Sequence, residues 1–277
     1  MSVPDRPVRR YSCGVAYMRP ILTSRQHPLV KRLAGLQLKK IRKETGLFLI
    51  EGPKLLQEAI SAGLAPEVIL AIPELAGSWA DHPAYQPVSL DVMAKIASTD
   101  TPPPVLAAAP IIDRPLPANA DLIVFLDDLQ DPGNLGTILR VAEAAGASQI
   151  MLSPGCVDPY NPKVVRGTMG SLFRLPWRQV DDTVAALATL REAGWQIVAT
   201  TLDAPVRIDR MTWGDRVVLL IGQEGRGLSE ACREAATAAV SIPMRAPVES
   251  LNAAVATAAL LYEVWRHRDY RGAVPSP

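Results

Sequence analysis

The sequence predicts an α/β protein in two unequal parts: a smaller N-terminal α/β unit and a larger C-terminal α/β unit built on a parallel sheet. Three observations carry that expectation. From Asp121 onward five apolar runs, LIVFL, QIMLS, WQIVAT, VVLLI and AVSIPM, are each separated from the next by a helical or loop stretch. Strands buried on both faces by covering helices produce that rhythm. Before residue 110, shorter strand-like and helix-like segments alternate. Between the two, IIDRPLPANA (111–120) holds two prolines and few apolar anchors beyond Ile111 and Ile112, the composition of a linker.

Taken in order, residues 1–20 hold several arginines without the apolar stretch of a secretory signal. They are expected to form a disordered arm, or an over-extended start with Met18 as the initiator. Leu29, Leu33, Leu36 and Leu38, with basic residues between them, predict one amphipathic helix over 25–43. FLIEG (48–52) reads as a strand, and Pro53 opens a helix running to about Ser61, since proline suits a first turn. Gly63 stops that helix, and VILA (68–71) is the next strand. Ser89 is a natural N-cap for a helix over 89–98. After the rigid TPPP (101–104), VLAAA resumes as a strand. The N-terminal unit is thus placed at 21–110, the linker at 111–120, the larger unit at 121–270 and a tail at 271–277. The last helix is expected from Ser250 to about Arg266.

Length and composition suit two modest domains or one large one: 277 residues, 48% hydrophobic and 21% charged. Three cysteines, Cys13, Cys156 and Cys232, are odd in number and form no CxxC pair. That argues against a disulfide framework or a thiolate metal site, and for a reducing cytoplasm. The three histidines are scattered, so no metal centre is expected. No run of about 18 apolar residues suggests a membrane span.

A net charge of +1 hides a strong asymmetry. Residues 1–60 carry twelve Lys/Arg against four Asp/Glu, a net +8, which leaves −7 for the rest of the chain. Phosphate binding needs a local positive surface rather than a positive average. Lys31, Arg32, Lys39, Lys40, Arg42 and Lys43 are the candidate contacts; a solvated helix face would show the same charges.

Three segments carry candidate chemistry, each just after a strand, where ligands bind in open α/β sheets. In LDDLQDPGNLGTILRVAEAAG (126–146), Asn134 can cap a helix that also holds Gly136 and Arg140. An ordinary capped helix with a surface arginine would look the same. In VVLLIGQEGRGLS (217–229), Gly222, Gly225 and Gly227 follow an apolar strand and surround Glu224. Their spacing is neither the dinucleotide fingerprint nor a phosphate loop, and a carboxylate there would repel a pyrophosphate. A cationic or hydroxyl-bearing ligand suits it better, and a plain tight turn remains an alternative. In VSIPMRAPVESLNAAVATAALLYE (240–263), Ser250 is a natural cap for a slim, alanine-rich helix whose first-turn N–H groups are ready donors.

N-x-G-x-x-x-R at Asn134, Gly136 and Arg140, I-G-x-E-x-x-G-L at 221–228, and I-P-M followed by S-L-N at 250–252 occur in the order of the three signature motifs of the SpoU/TrmH-like RNA methyltransferases of the SPOUT superfamily. The chain resembles that family over about residues 21–266, including F-x-x-E-G (48–52) after a basic helix and the inter-motif stretch KVVRGTMGSLFRLP (163–176). One position departs: Ala246 stands where the family has glycine after I-P-M-x.

The resemblance implies a deep trefoil knot in the C-terminal unit, and S-adenosyl-L-methionine held by the loops near Thr200, Thr201, Leu202, Gly222, Ile242 and Leu251. It implies methyl transfer to a ribose 2′-hydroxyl, with Arg140 acting on that hydroxyl and Asn134, Glu224, Ser250 and Asn252 positioning the groups around it. It also implies a homodimer with the last helix in the interface, and RNA bound by the basic N-terminal residues. The separate N-terminal unit points to ribosomal RNA ahead of tRNA, since many tRNA enzymes of the family lack one. Two other readings stay open: a nucleotide-dependent oxidoreductase, which the glycine spacing disfavours, and a non-catalytic RNA-binding assembly factor, which would need neither Arg140 nor the Ser250–Asn252 pair.

Overall fold

The computed structural model describes residues 19–273; Met18 as initiator, Cys13, the last residues of the tail and all of the expected arm but Arg19 and Pro20 lie outside them, and Arg19 donates to Tyr85 O at 2.9 Å and to Pro83 O at 3.0 Å. The basic stretch expected to be one helix is two, α1 (Pro28–Gly35) and α2 (Lys39–Thr45). The N–H groups of Leu36, Gln37 and Leu38 donate to the carbonyls three residues back, which tightens the chain out of α-helix after Gly35. That turn packs Ile41 onto Gly35, buries Leu36 and leaves Leu38 63% exposed at the start of α2. On one continuous helix Leu36 would share the face of Leu29 and Leu33, whereas Leu38, two residues further on, would fall about 200° away from Leu36.

β1 (Leu47–Glu51), α3 (Pro53–Ser61), β2 (Val68–Ala71), β3 (Tyr85–Pro87), α4 (Leu90–Ile96) and β4 (Val105–Pro110) follow. Ser89 caps α4 through Val92 N–H, at 3.4 Å. The sheet order is β1-β4-β2-β3, with β4 antiparallel to both neighbours and β3 parallel to β2. β3 was not foreseen, because three residues ending in proline carry no alternating pattern. One face of this sheet packs Leu49, Leu70 and Leu106 against Val30 and Leu33 of α1 and Val92, Met93 and Ile96 of α4. The other face presents Phe48, Ile50, Ile69 and Ala107 to a cluster that continues into the second unit. Burial on both sides explains why β1 is apolar at every position but its last.

The C-terminal unit contains β5 (Leu122–Leu126), α5 (Pro132–Ala144), β6 (Gln149–Leu152), α6 (Pro162–Gly167), β7 (Trp177–Gln179), α7 (Thr183–Glu192), β8 (Gln196–Thr200), β9 (Val206–Arg207), β10 (Val217–Ile221), α8 (Glu230–Ala235), β11 (Ala238–Ser241) and α9 (Ala253–His267). All seven strands are parallel, in the order β7-β6-β5-β10-β8-β11-β9. The short edge strands β7 and β9 were not read from sequence. Alternation sorts the core: Leu122, Val124 and Leu126 join a cluster with residues of α5 and α9, while Ile123 and Phe125 join one with Leu187 and Leu190 of α7 and Cys232 of α8. Register places Ile221 beside Leu126 and Thr200 beside Val240, so the loops leaving β5, β8, β10 and β11 gather on one edge of the sheet.

The two units are joined by more than residues 111–121. Tyr160 Oη accepts from Ile112 N–H at 2.7 Å and donates to Ile112 O at 3.1 Å, and Arg114 donates to Ala62 O at 3.0 Å. The Phe48 ring lies 4.5 Å from Tyr160 and 6.1 Å from Phe173, centroid to centroid. Ion pairs Arg42–Asp158 at 2.5 Å, Arg166–Glu51 at 3.2 Å and Arg174–Glu58 at 2.6 Å cross the same seam.

Cys156 and Cys232 are buried. Burial raises the Cys156 thiol and pushes Cys232 up to about 12, so neither supplies thiolate near neutral pH. Titration of the folded chain with Ellman's reagent is expected to leave both unlabelled until denaturant is added; fast labelling of either would contradict this packing.

Candidate active site

Glu224, Asn134 and Asn252 meet. One carboxylate oxygen of Glu224, Oε1, accepts from Asn134 Nδ2 at 2.7 Å, from Asn252 Nδ2 at 2.8 Å and from the backbone N–H of Ala253 at 3.1 Å. Asn252 Nδ2 also donates to Asn134 Oδ1 at 2.9 Å. Segments as much as 118 residues apart in sequence are thus tied at one charged oxygen. Hydrogen bonds to a carboxylate are the strong kind, and a negative group at the start of α9 complements the helix dipole.

Each partner is delivered by local chain logic. The cap of α5 is Asp131, whose Oδ1 accepts from Asn134 N–H at 2.8 Å, so Asn134 is a first-turn residue rather than the expected cap. Pro132 occupies the first helical position, and the cap role of Asp131 leaves the Asn134 side-chain amide free to reach Glu224. Likewise the cap of α9 is Asn252, not Ser250: its Oδ1 accepts from Ala254 N–H at 2.9 Å and Val255 N–H at 3.3 Å. The helix therefore starts at Ala253, and Ser250 stays exposed in the preceding loop. Glu224 sits on a loop closed by reciprocal Gln223–Gly227 backbone hydrogen bonds, at 3.2 and 2.9 Å. Gly225 and Gly227 take positive φ of 85° and 69°, a region glycine enters freely.

Arg140 does not join this cluster. At 3.6 residues per turn, six residues rotate a side chain about 240° from Asn134. Arg140 is exposed, with no ion pair among the described residues.

Thr200, Thr201 and Leu202 leave the C-terminal end of β8, Gly222 that of β10 and Ile242 that of β11; Thr201 N–H donates to Val240 O at 3.1 Å. Leu202 is 68% exposed, whereas Ile242 and Leu251 are half-buried. Gly222 has a steric reason to be glycine: an added Cβ would lie 2.5 Å from Leu228 N and closer still to the Gly227 carbonyl. Thr200 Oγ1 and Gln223 Oε1 are buried without a hydrogen-bond partner. Buried polar atoms are normally paired, so two orphans beside the ends of β8 and β10 suit a polar ligand such as a nucleoside.

Sequence reasoning passed over Gln223 and Asp127. Asp127 is buried and accepts from Ser229 N–H at 2.6 Å, pinning the far end of the glycine loop to β5. The acidic pair after LIVFL was its only trace. Among the candidate cations, Lys31, Lys39, Lys40 and Lys43 are exposed, Lys40 lies 3.8 Å from Glu44, and Arg32 pairs with Glu67. Arg42 is a correction. It is 2% exposed and donates to Asp158 Oδ2, Leu36 O and Gln37 O, so it holds the seam and offers nothing to a phosphate. The described residues contain no helix long and apolar enough to cross a membrane, and no group of three or more His, Cys, Asp or Glu placed to hold a metal.

The pattern of the SpoU rRNA methylase family matches residues 121–262, and that of the MRM3-like substrate binding domain matches 27–107. An uncharacterized tRNA/rRNA methyltransferase of Synechocystis is 38% identical over 89% of this chain and 94% of its own. The 23S rRNA (guanosine(2553)-2′-O)-methyltransferase RlmP of Bacillus subtilis is 31% identical over 88% of this chain and 98% of its own. The crystal structure of an AdoMet-bound rRNA methyltransferase from Sinorhizobium meliloti superposes with a TM-score of 0.80 at 36% identity, covering 90% of this chain and 98% of that one.

Proposed function

Because this chain belongs to the SpoU rRNA methylase family, we propose that it methylates a ribose 2′-hydroxyl of ribosomal RNA, with the Asn134–Glu224–Asn252 junction as the frame of its active site. It is an S-adenosylmethionine-dependent RNA 2′-O-methyltransferase. The observation that carries the site assignment is the convergence of three separated motifs on Glu224 Oε1, beside the strand ends that leave Thr200 Oγ1 and Gln223 Oε1 unpartnered.

S-adenosylmethionine supplies a methyl group on a sulfonium, which departs as a neutral thioether and needs no acid to expel it. What falls to the protein is alignment and the management of charge on the attacking oxygen. Alignment can lower a barrier by about 7–11 kcal/mol in favourable cases. Glu224 fixes the spacing of α5, the glycine loop and α9; Thr200, Gln223, Gly222, Ile242 and Leu251 line the cofactor side, with Thr201 and Leu202 on the same loop. The guanidinium of Arg140 is a cation with N–H donors and no acceptor, so it offers charge and hydrogen bonds rather than a site to take a proton. Its role is to stabilise the developing alkoxide and an adjacent phosphate, with Ser250 close to the substrate.

An arginine turned away from Asn134 fits a site completed by a second subunit. Val255 and Tyr262 lie seven residues apart on one face of α9 and are 54% and 45% exposed, an apolar stripe suited to a homodimer. The trefoil knot belongs to the same reading, with the segment between β11 and α9 as its threaded part. Residues 21–110 hold the RNA and 121–270 perform the chemistry, in the cytoplasm, where the two buried thiols stay reduced.

Calorimetry is expected to show S-adenosylhomocysteine binding and NAD not binding. Mapping of 2′-O-methyl groups in total RNA with and without the protein should reveal a site in ribosomal RNA; a tRNA site alone would move the substrate, and no site would remove the activity. Arg140→Ala is expected to keep S-adenosylhomocysteine affinity within about twofold while methyl transfer falls about 100-fold or more, the scale of one lost stabiliser of developing charge. Full transfer by that variant would end its catalytic assignment. Tyr262→Glu should turn a dimer into a monomer in sedimentation equilibrium, and a wild-type chain that sediments as a monomer would remove the shared site.

A further inference from the structure

Edge strand β7 and helix α2 face each other across a cleft of about 340 Å³ between the two units, within the range that holds small-molecule ligands. Its wall carries Lys39 and Lys43 from α2 and Trp177 and Arg178 from β7. Arg42 and Asp158 also line it but neutralise each other. Lys39, Lys43 and Arg178 are exposed, and among the described residues none has a carboxylate within ion-pair distance. Asp113 is the cleft's other carboxylate, so positive charge prevails. Trp177 is half-buried, its ring 5.4 Å from that of Tyr160 in an edge-on arrangement.

We infer that this cleft holds one unpaired nucleotide of the substrate RNA outside the methylated residue, its base against Trp177 and its phosphates on Lys39, Lys43 and Arg178. The inference rests on the RNA-methylating reading above and adds to it a second recognition point. An aromatic side chain among unpaired cations is the combination that binds single-stranded RNA, since stacking serves any base and cations serve the backbone. Position agrees. Asp158, Pro159 and Tyr160 belong to the loop leaving β6, and β6 is the parallel neighbour of β5, whose own loop leads to Asn134. The cleft and the Glu224 junction therefore lie along the same edge of the sheet. Because α2 and β7 come from different units held by the buried seam, the nucleotide binds at a fixed position relative to the reacting ribose.

The test uses the full chain and a fluorescein-labelled oligouridine followed by anisotropy across a salt series. The triple variant Lys39→Ala/Lys43→Ala/Arg178→Ala changes only exposed side chains. It is expected to weaken binding at least tenfold at low salt and to reduce the slope of log affinity against log salt by about 2, given about 0.7 per phosphate contact on single strands. Trp177→Leu is expected to weaken binding about tenfold with the slope unchanged, as loss of one stacked base predicts. Unchanged affinity and slope in the folded triple variant would overturn the inference. So would uridine monophosphate binding as tightly as the oligomer, which would make this a site for a free nucleotide. S-adenosylhomocysteine affinity, read separately by calorimetry, reports on the enzymatic assignment: its loss in the wild-type chain would sink that reading, whereas normal cofactor binding with unaltered RNA binding in the variants would sink this one alone.

Discussion

Gly222→Ala is expected to cost S-adenosylhomocysteine affinity about 100-fold and to lower stability by about 2–3 kcal/mol, at the upper part of the range for overpacking. The new methyl group would meet backbone on every near side: the Gly227 carbonyl and Leu228 N, the latter at 2.5 Å. No rotamer change can relieve such a contact, so the loop must open. Opening it breaks the Gln223–Gly227 hydrogen bonds and moves both Glu224 and the buried Gln223 side chain. Gly225→Ala makes the informative comparison. Gly225 has open space around its would-be Cβ and a φ of +85°, so its cost is conformational strain of roughly 1–2 kcal/mol. Calorimetry with the cofactor product and urea unfolding separate the two, and normal binding by the Gly222 variant would mean that the loop is not part of the cofactor site.

Asp158→Ala should be the most destabilising single change at the seam, about 3–5 kcal/mol, because it leaves a buried guanidinium without its counter-charge. Against a typical domain stability of about 5–15 kcal/mol that is a large share. The remaining acceptors of Arg42, the carbonyls of Leu36 and Gln37 at 2.7 and 2.9 Å, satisfy hydrogen bonds but carry no net charge. Asp158→Asn keeps one acceptor for the guanidinium and should lose less. Lys43→Ala, one residue from Arg42 but exposed, should change stability by no more than about 0.5 kcal/mol. Urea melts of the three variants check the order; an Asp158→Ala chain as stable as wild type would mean that solvent reaches Arg42.

The C-terminal sheet was legible because each central strand is a short apolar run, and LIVFL and VVLLI coincide with β5 and β10. The edge strands β3, β7 and β9 were not, since two or three residues paired on one side need no hydrophobic signature. Helix ends were misread where two cap-forming residues compete: Asp131 against Asn134, and Asn252 against Ser250. In both cases the chosen cap is the one that leaves a side chain where Glu224 needs it, a tertiary demand invisible to a local rule. Arg42 shows the same limit in reverse. Its neighbours Lys39, Lys40 and Lys43 face solvent as the basic pattern implies, and nothing in the pattern marks the one cation that turns inward to meet a carboxylate 116 residues away. The three motifs were readable individually, but their meeting at a single oxygen is a property of the sheet order.

The seam also bears on how such enzymes can be re-engineered. Its acids and bases are shared out between the two halves: Arg42, Glu51 and Glu58 on one side, Asp158, Arg166 and Arg174 on the other. A chimera that joins a relative's N-terminal unit to this C-terminal unit would strand charges on both sides unless Asp158, Arg166 and Arg174 met matching partners in the incoming chain.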